Sequence, residues 1–113
     1  MASQSLTVAE FIELPIVKAG LPELVAGSEG LDAEVRWVHP LDVPDVSDLL
    51  RGGEMILTTG VSIGEDAAAQ RRFVRDLEAE GAVGIAVELG FAWNRELPKA
   101  LVDEADRRHI PMV

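Results

Sequence analysis

From Glu54 to the C-terminus the chain alternates strand-like and helix-like stretches, and that alternation narrows the possible folds more than any other feature. Glu54 to Thr59 reads as a strand, Asp66 to Glu80 as a helix with Phe73, Val74 and Leu77 on one buried stripe, and Gly81 as the glycine that ends it. Ala82-Val-Gly-Ile-Ala-Val87 is apolar without alternation, the pattern of a strand covered on both faces. A second helix, Leu97 to His109, has Pro98 in its first turn and Arg107 and Arg108 near its negative end, and Ile110 then starts a third strand. Strand, helix, strand, helix, strand makes successive βαβ units, so strands near 54–59, 82–88 and 110–113 are predicted to be parallel neighbours.

The N-terminal half is less regular. Thr7-Val-Ala-Glu10 fits a capping box, which predicts a short helix ending near Leu14, before Pro15. Ile16 to Glu23 is interrupted by Gly20 and Pro22 and gives no clear element, while Leu24-Val-Ala-Gly27 reads as a short strand. Leu31 to His39 reads as one strand with Val35, Trp37 and His39 on a common face. Pro44 to Asp48 suggests a helix of about two turns with Asp45 as its N-cap, and Gly52 or Gly53 is expected at positive φ. The predicted fold class is α/β: residues 1–113 form one domain with a small mixed, mainly parallel sheet and flanking helices.

Composition removes several function classes. No cysteine is present, which excludes disulfides, a thiolate nucleophile and a cysteine metal site. The N-terminus lacks a basic and apolar leader pattern, and no window approaches the roughly 20 apolar residues of a membrane span, so a cytoplasmic chain is expected. The net charge is −10, and residues 1–57 hold three basic residues against ten acids. Such a surface repels phosphate backbones, and direct DNA binding by this stretch is not expected. Ile110 to Val113 reads as a strand cut short, as in a segment of a longer chain.

No catalytic constellation emerges. Ser47 and Ser62 lie outside any nucleophile elbow. His39, Asp42, Asp45 and Asp48 recur every third residue, but that spacing matches no metal loop and two of the aspartates serve as helix caps, so neither metal nor cofactor is expected. Gly60 and Gly64 follow a strand without the remainder of a phosphate-binding pattern. Ligands of open parallel sheets favour the crevice beyond the carboxyl ends of the strands. The candidate ligand-binding residues are therefore Thr58, Thr59 and Gly60 after one strand, Glu88 and Gly90 after the next, and His39 at the end of a third. Phe91 and Trp93, in the loop after the buried strand, suit a core or lid first and a protein interface second.

The segment Val35 to Gly60 joins Trp37 and His39 to Arg51-Gly-Gly-Glu54, Met55-Ile-Leu57 and Thr58-Thr-Gly60. In this order it resembles the N-terminal domain of PucR-type purine-catabolism transcription regulators, and the resemblance runs from about Thr7 to the end, with Gly27, Gly30 and Leu31 also in place. It implies a non-enzymatic regulatory domain that receives a metabolic signal, acts as a homodimer, and reaches DNA only through a helix-turn-helix beyond residue 113. A purely structural dimerisation domain and an accessory domain of a bacterial enzyme are the alternatives.

Overall fold

The structure, a computed structural model, describes residues 6–20, 22–42, 50–89, 93 and 96–113. Strand β1 (Leu6–Thr7) runs directly into helix α1 (Val8–Ile12), and the predicted capping box holds the junction. The Glu10 backbone N–H donates to Thr7 Oγ1 at 3.1 Å while the Thr7 N–H donates to the Glu10 carboxylate at 2.9 Å. Pro15, whose missing N–H costs nothing in a first turn, then opens α2 (Pro15–Lys18) in the stretch that gave no clear element.

The strand expected from Leu31 to His39 is in fact two. β2 (Glu34–Val35) pairs antiparallel with β1, whereas β3 (Trp37–Pro40) joins a different sheet. Arg36 is the switch point: its N–H donates to the Gly53 carbonyl at 2.8 Å, carrying the chain from one sheet to the next within a residue. Side-chain alternation continues through such a step, so the pattern could not reveal it.

In the main sheet β3, β4 (Glu54–Thr58) and β5 (Gly84–Val87) are parallel in that order, with Trp37 opposite Glu54 and Met55 opposite Gly84. Residues 110–113 extend it beyond β5. The Ile85 N–H donates to the Pro111 carbonyl and the Val113 N–H to the Ile85 carbonyl, each at 2.9 Å, around a parallel bridge between Ile85 and Met112. Met112 in turn bridges Ala26 antiparallel, which is what becomes of the strand expected at Leu24 to Gly27. The three parallel strands are thus neighbours, and the sheet is mixed at its outer edge.

Two longer helices complete the βαβ pattern. Asp66 caps α3 (Ala67–Ala79) by accepting from the Ala69 N–H at 3.3 Å. Gly81 ends it at φ 92°, with the Gly81 N–H donating to Glu78 and the Ala82 N–H to Leu77, the paired bonds of a Schellman cap. Helix α4 (Lys99–Arg107) ends the same way, but with His109 rather than glycine in the left-handed position, at φ 57°. Arg107 and Arg108, expected to serve the helix end, close instead on Glu104 of the same helix, whose side chain is only 2% exposed. Arg108 Nε donates to Glu104 at 2.6 Å and Arg108 Nη1 reaches Glu78 of α3 at the same distance, tying the two helices together.

Alternation along β4 feeds two cores. Ile56 and Ile85 face Val74 and Leu77 of α3 and Leu101 of α4, while Met55 faces Val8 and Phe11 of α1 and Val35 of β2. Each fully buried aliphatic side chain contributes roughly 1.5–3 kcal/mol, so both faces of the sheet are held mainly by apolar burial. At the corner before β4, Gly52 and Gly53 both take positive φ, 100° and 87°, as expected of that pair. The buried Glu54 carboxylate accepts from the Arg51 and Gly52 N–H groups at 2.7 and 2.9 Å, so the corner is closed by its own side chain. The helix expected at Pro44 to Asp48 lies outside the described residues.

Candidate functional site

Beyond the carboxyl ends of β3, β4 and β5 lies an open cleft of about 1050 Å³, bounded on other sides by α1, α2 and the start of α4. Its centre is built by register. Because Trp37 pairs with Glu54, Asp42 arrives beside Thr58 and Thr59 two residues after β3 ends. Asp42 Oδ1 accepts from Thr58 Oγ1 at 2.7 Å and from both the backbone N–H and Oγ1 of Thr59 at 3.0 Å. Thr58 Oγ1 accepts in turn from the Gly60 N–H at 3.1 Å. Burial pushes the Asp42 pKa up, but the hydrogen bonds from Thr58, Thr59 and the Gly60 backbone outweigh it and hold the carboxyl below the ordinary aspartate value. Asp42 is therefore an ionised, solvent-exposed carboxylate held by its neighbours in the lining of the cleft.

Of the residues singled out from the sequence, Thr58, Thr59 and Glu88 line this cleft together. The Glu88 N–H donates to the Thr58 carbonyl at 2.9 Å, which fixes one strand end against the next. Gly60 stands beside them, and the Trp93 ring packs on it so closely that a Cβ there would lie 2.2 Å from Cζ3. Trp93 is 8% exposed and belongs to the larger core cluster, in keeping with the core or lid reading of its loop. Its indole N–H is buried without an acceptor among the described residues. His39 is half-buried on β3 opposite Ile56 and does not line the cleft. Gly90 and Phe91 lie outside the described residues, as do Asp45 and Asp48. Among the described residues no group of three or more histidines and acids is placed to hold a metal.

Asp42 is the site residue that sequence reasoning missed. In the sequence it is only one member of an every-third-residue acidic series, whereas its place here comes from sitting opposite Thr59 across a parallel pair. The signal lay in pairing the Trp37 strand with the Glu54 strand in register, which neither strand specifies alone.

This arrangement, a parallel-sheet domain with an open cleft beyond its strand ends, is the one in which α/β domains hold ligands when they bind them. The chain belongs to the PucR family, the purine catabolism regulatory protein-like family, whose model matches residues 10–113. It is 30% identical to the transcriptional activator PmfR of Paenarthrobacter nicotinovorans over 116 aligned residues, covering 100% of this chain and 23% of that protein. It is 26% identical to the purine catabolism regulatory protein of Bacillus subtilis (strain 168) over 90 residues, covering 80% of this chain and 17% of that protein. The chain thus spans less than a quarter of the length of either relative. No solved structure matches it. No helix among the described residues is long and apolar enough to cross a membrane.

Proposed function

We propose that this domain is the signal-receiving part of a transcription regulator of purine or related nitrogen catabolism, working in the cytoplasm and without catalysis of its own. The observation that carries the reading is the cleft beyond the parallel strands, where Asp42, Thr58 and Thr59 form a hydrogen-bonded polar cluster in a largely aliphatic lining. A small metabolite held there would favour one arrangement of the strand-end loops and shift the equilibrium by its differential affinity for the two. DNA contact belongs to a helix-turn-helix elsewhere in the regulator, as the three basic residues among the first 57 imply for this part. A thermal-shift screen of the 113-residue chain with purine catabolites and related nitrogen compounds tests the reading. A true ligand at a hundred times its Kd adds about 2.7 kcal/mol of apparent stability, and Thr58→Val should abolish the gain. Absence of any stabilising compound, or a gain that survives Thr58→Val, would refute it.

The same reading includes a homodimer, since regulators of this kind work as closed symmetric pairs. Phe91 and Trp93 were the first candidates for the contact. With the Trp93 indole buried, the aromatic ring available to a partner among the described residues is Trp37 on β3, 50% exposed beside Val38 at 48%. Sedimentation at high protein concentration should show a dimer that Trp37→Ser weakens. A wild-type monomer under those conditions removes the dimer from the proposal.

A further inference from the structure

Charge is the property of the cleft that its proposed role leaves unassigned. Four carboxylates line it, those of Glu23, Asp42, Glu88 and Glu96, and no lysine or arginine stands among the described residues that do so. Much of the rest of the lining is aliphatic, Leu57 and Leu97 included. Asp42 is the ordered member of the four. Thr58 Oγ1 and the N–H and Oγ1 of Thr59 all donate to Oδ1, while the carboxylate stays open to solvent and so to a ligand, and the side chain cannot swing away without leaving Thr58 Oγ1, 4% exposed as a residue, without its acceptor.

An anion entering the cleft would meet four like charges with no counter-charge on the described walls, in a chain that already carries −10. A neutral ligand could bond the Asp42 carboxylate but would bring no positive charge to offset the four carboxylates around it. An organic cation meets neither cost, and its carbon skeleton has aliphatic wall to cover. Resting on the reading that the cleft takes a small molecule, we infer that its ligand is a positively charged nitrogen compound, an ammonium or amidinium with an apolar body, whose N–H groups bond the Asp42 carboxylate while the body lies against Leu57 and Leu97.

The test is a titration of the ¹⁵N-labelled 113-residue chain at low ionic strength with three probes of one shape: phenethylamine, 2-phenylethanol and phenylacetate. Amide shifts of Thr58, Thr59, Val87 and Leu97 report occupancy of the cleft. Phenethylamine should move them and lose affinity as salt is raised, the alcohol should bind about tenfold more weakly, and phenylacetate should leave them unmoved. Asp42→Asn keeps an oxygen for the donors that converge on Oδ1 and removes the negative charge, so it should weaken the amine about tenfold with the backbone spectrum otherwise retained. Glu88→Gln, at an exposed side chain, should give a smaller loss and serves if the Asn variant does not fold. Equal or stronger shifts with phenylacetate or the alcohol, or amine binding indifferent to both substitutions, overturn the cation assignment while leaving the cleft a ligand site. If none of the three probes moves these amides, the small-molecule reading falls with it.

Discussion

Replacing Gly27 by valine is expected to destabilise the domain by about 4 kcal/mol, a large part of the 5–15 kcal/mol available to a domain of this kind. Two independent costs meet at this residue. The backbone is left-handed, φ 72° and ψ 32°, where a branched side chain is strained by about 1–2 kcal/mol. A Cβ would also lie 2.1 Å from the Ile110 carbonyl oxygen and 2.5 Å from the Pro111 nitrogen, backbone atoms with no rotamer to yield. Relief requires moving residues 110–113 away from residues 24–26, which would break the bonds from the Val25 N–H to Met112 and from the Met112 N–H to Ala26. Urea denaturation of wild type and variant measures the difference. A loss under about 1 kcal/mol would show that the Gly27 turn is looser than its contacts indicate.

Glu104→Ala should cost about 3 kcal/mol at neutral pH, with a pH dependence that identifies the cause. The carboxylate is covered by protein yet serves three guanidinium groups, with Arg108 at 2.6 Å, Arg107 at 3.3 Å and Arg75 at 4.0 Å. Its removal leaves a void between α3 and α4 and takes from Arg108 one of its two partners, Glu78 remaining. The figure is at the low end for a buried ion pair because Arg75 and Arg107 are half or more exposed and can turn to water. The hydrogen bond from Arg108 is the main influence on the Glu104 pKa; it overcomes the opposing effect of burial and, with the nearby Arg107 and Arg75 charges, sets the value below the ordinary 4.5. A group depressed in the folded state contributes its full stability above the unfolded value and loses it as pH falls through the folded one. Wild type and variant should therefore differ most near pH 7 and converge below pH 4.5. Curves that stay parallel into acid would mean the cost is packing alone.

The parallel core was legible because its signals are local. Asp66 before α3, Gly81 after it and the unbroken apolar run of β5 each mark an element without reference to anything distant. The crevice could be placed from the same information, since strand ends follow from strands, and Thr58, Thr59 and Glu88 do line it. Long-range features were not legible. Arg36 changes sheets without interrupting side-chain alternation, and Ala26 finds its partner 86 positions away at Met112. Asp42 shares composition with its acidic neighbours and differs from them only in what lies across from it.

That late partner has a kinetic consequence. The segment that fills the space between β5 and residues 24–26 follows both of them in the chain, so both neighbours wait for it with an open hydrogen-bonding edge. Until Met112 leaves the ribosome the nascent chain holds Ile85 on an uncovered strand, the kind of edge that pairs with other chains. Closing that edge joins Ala26 to a partner 86 positions later, and contacts of such long sequence separation carry the loop-closure cost that slows folding.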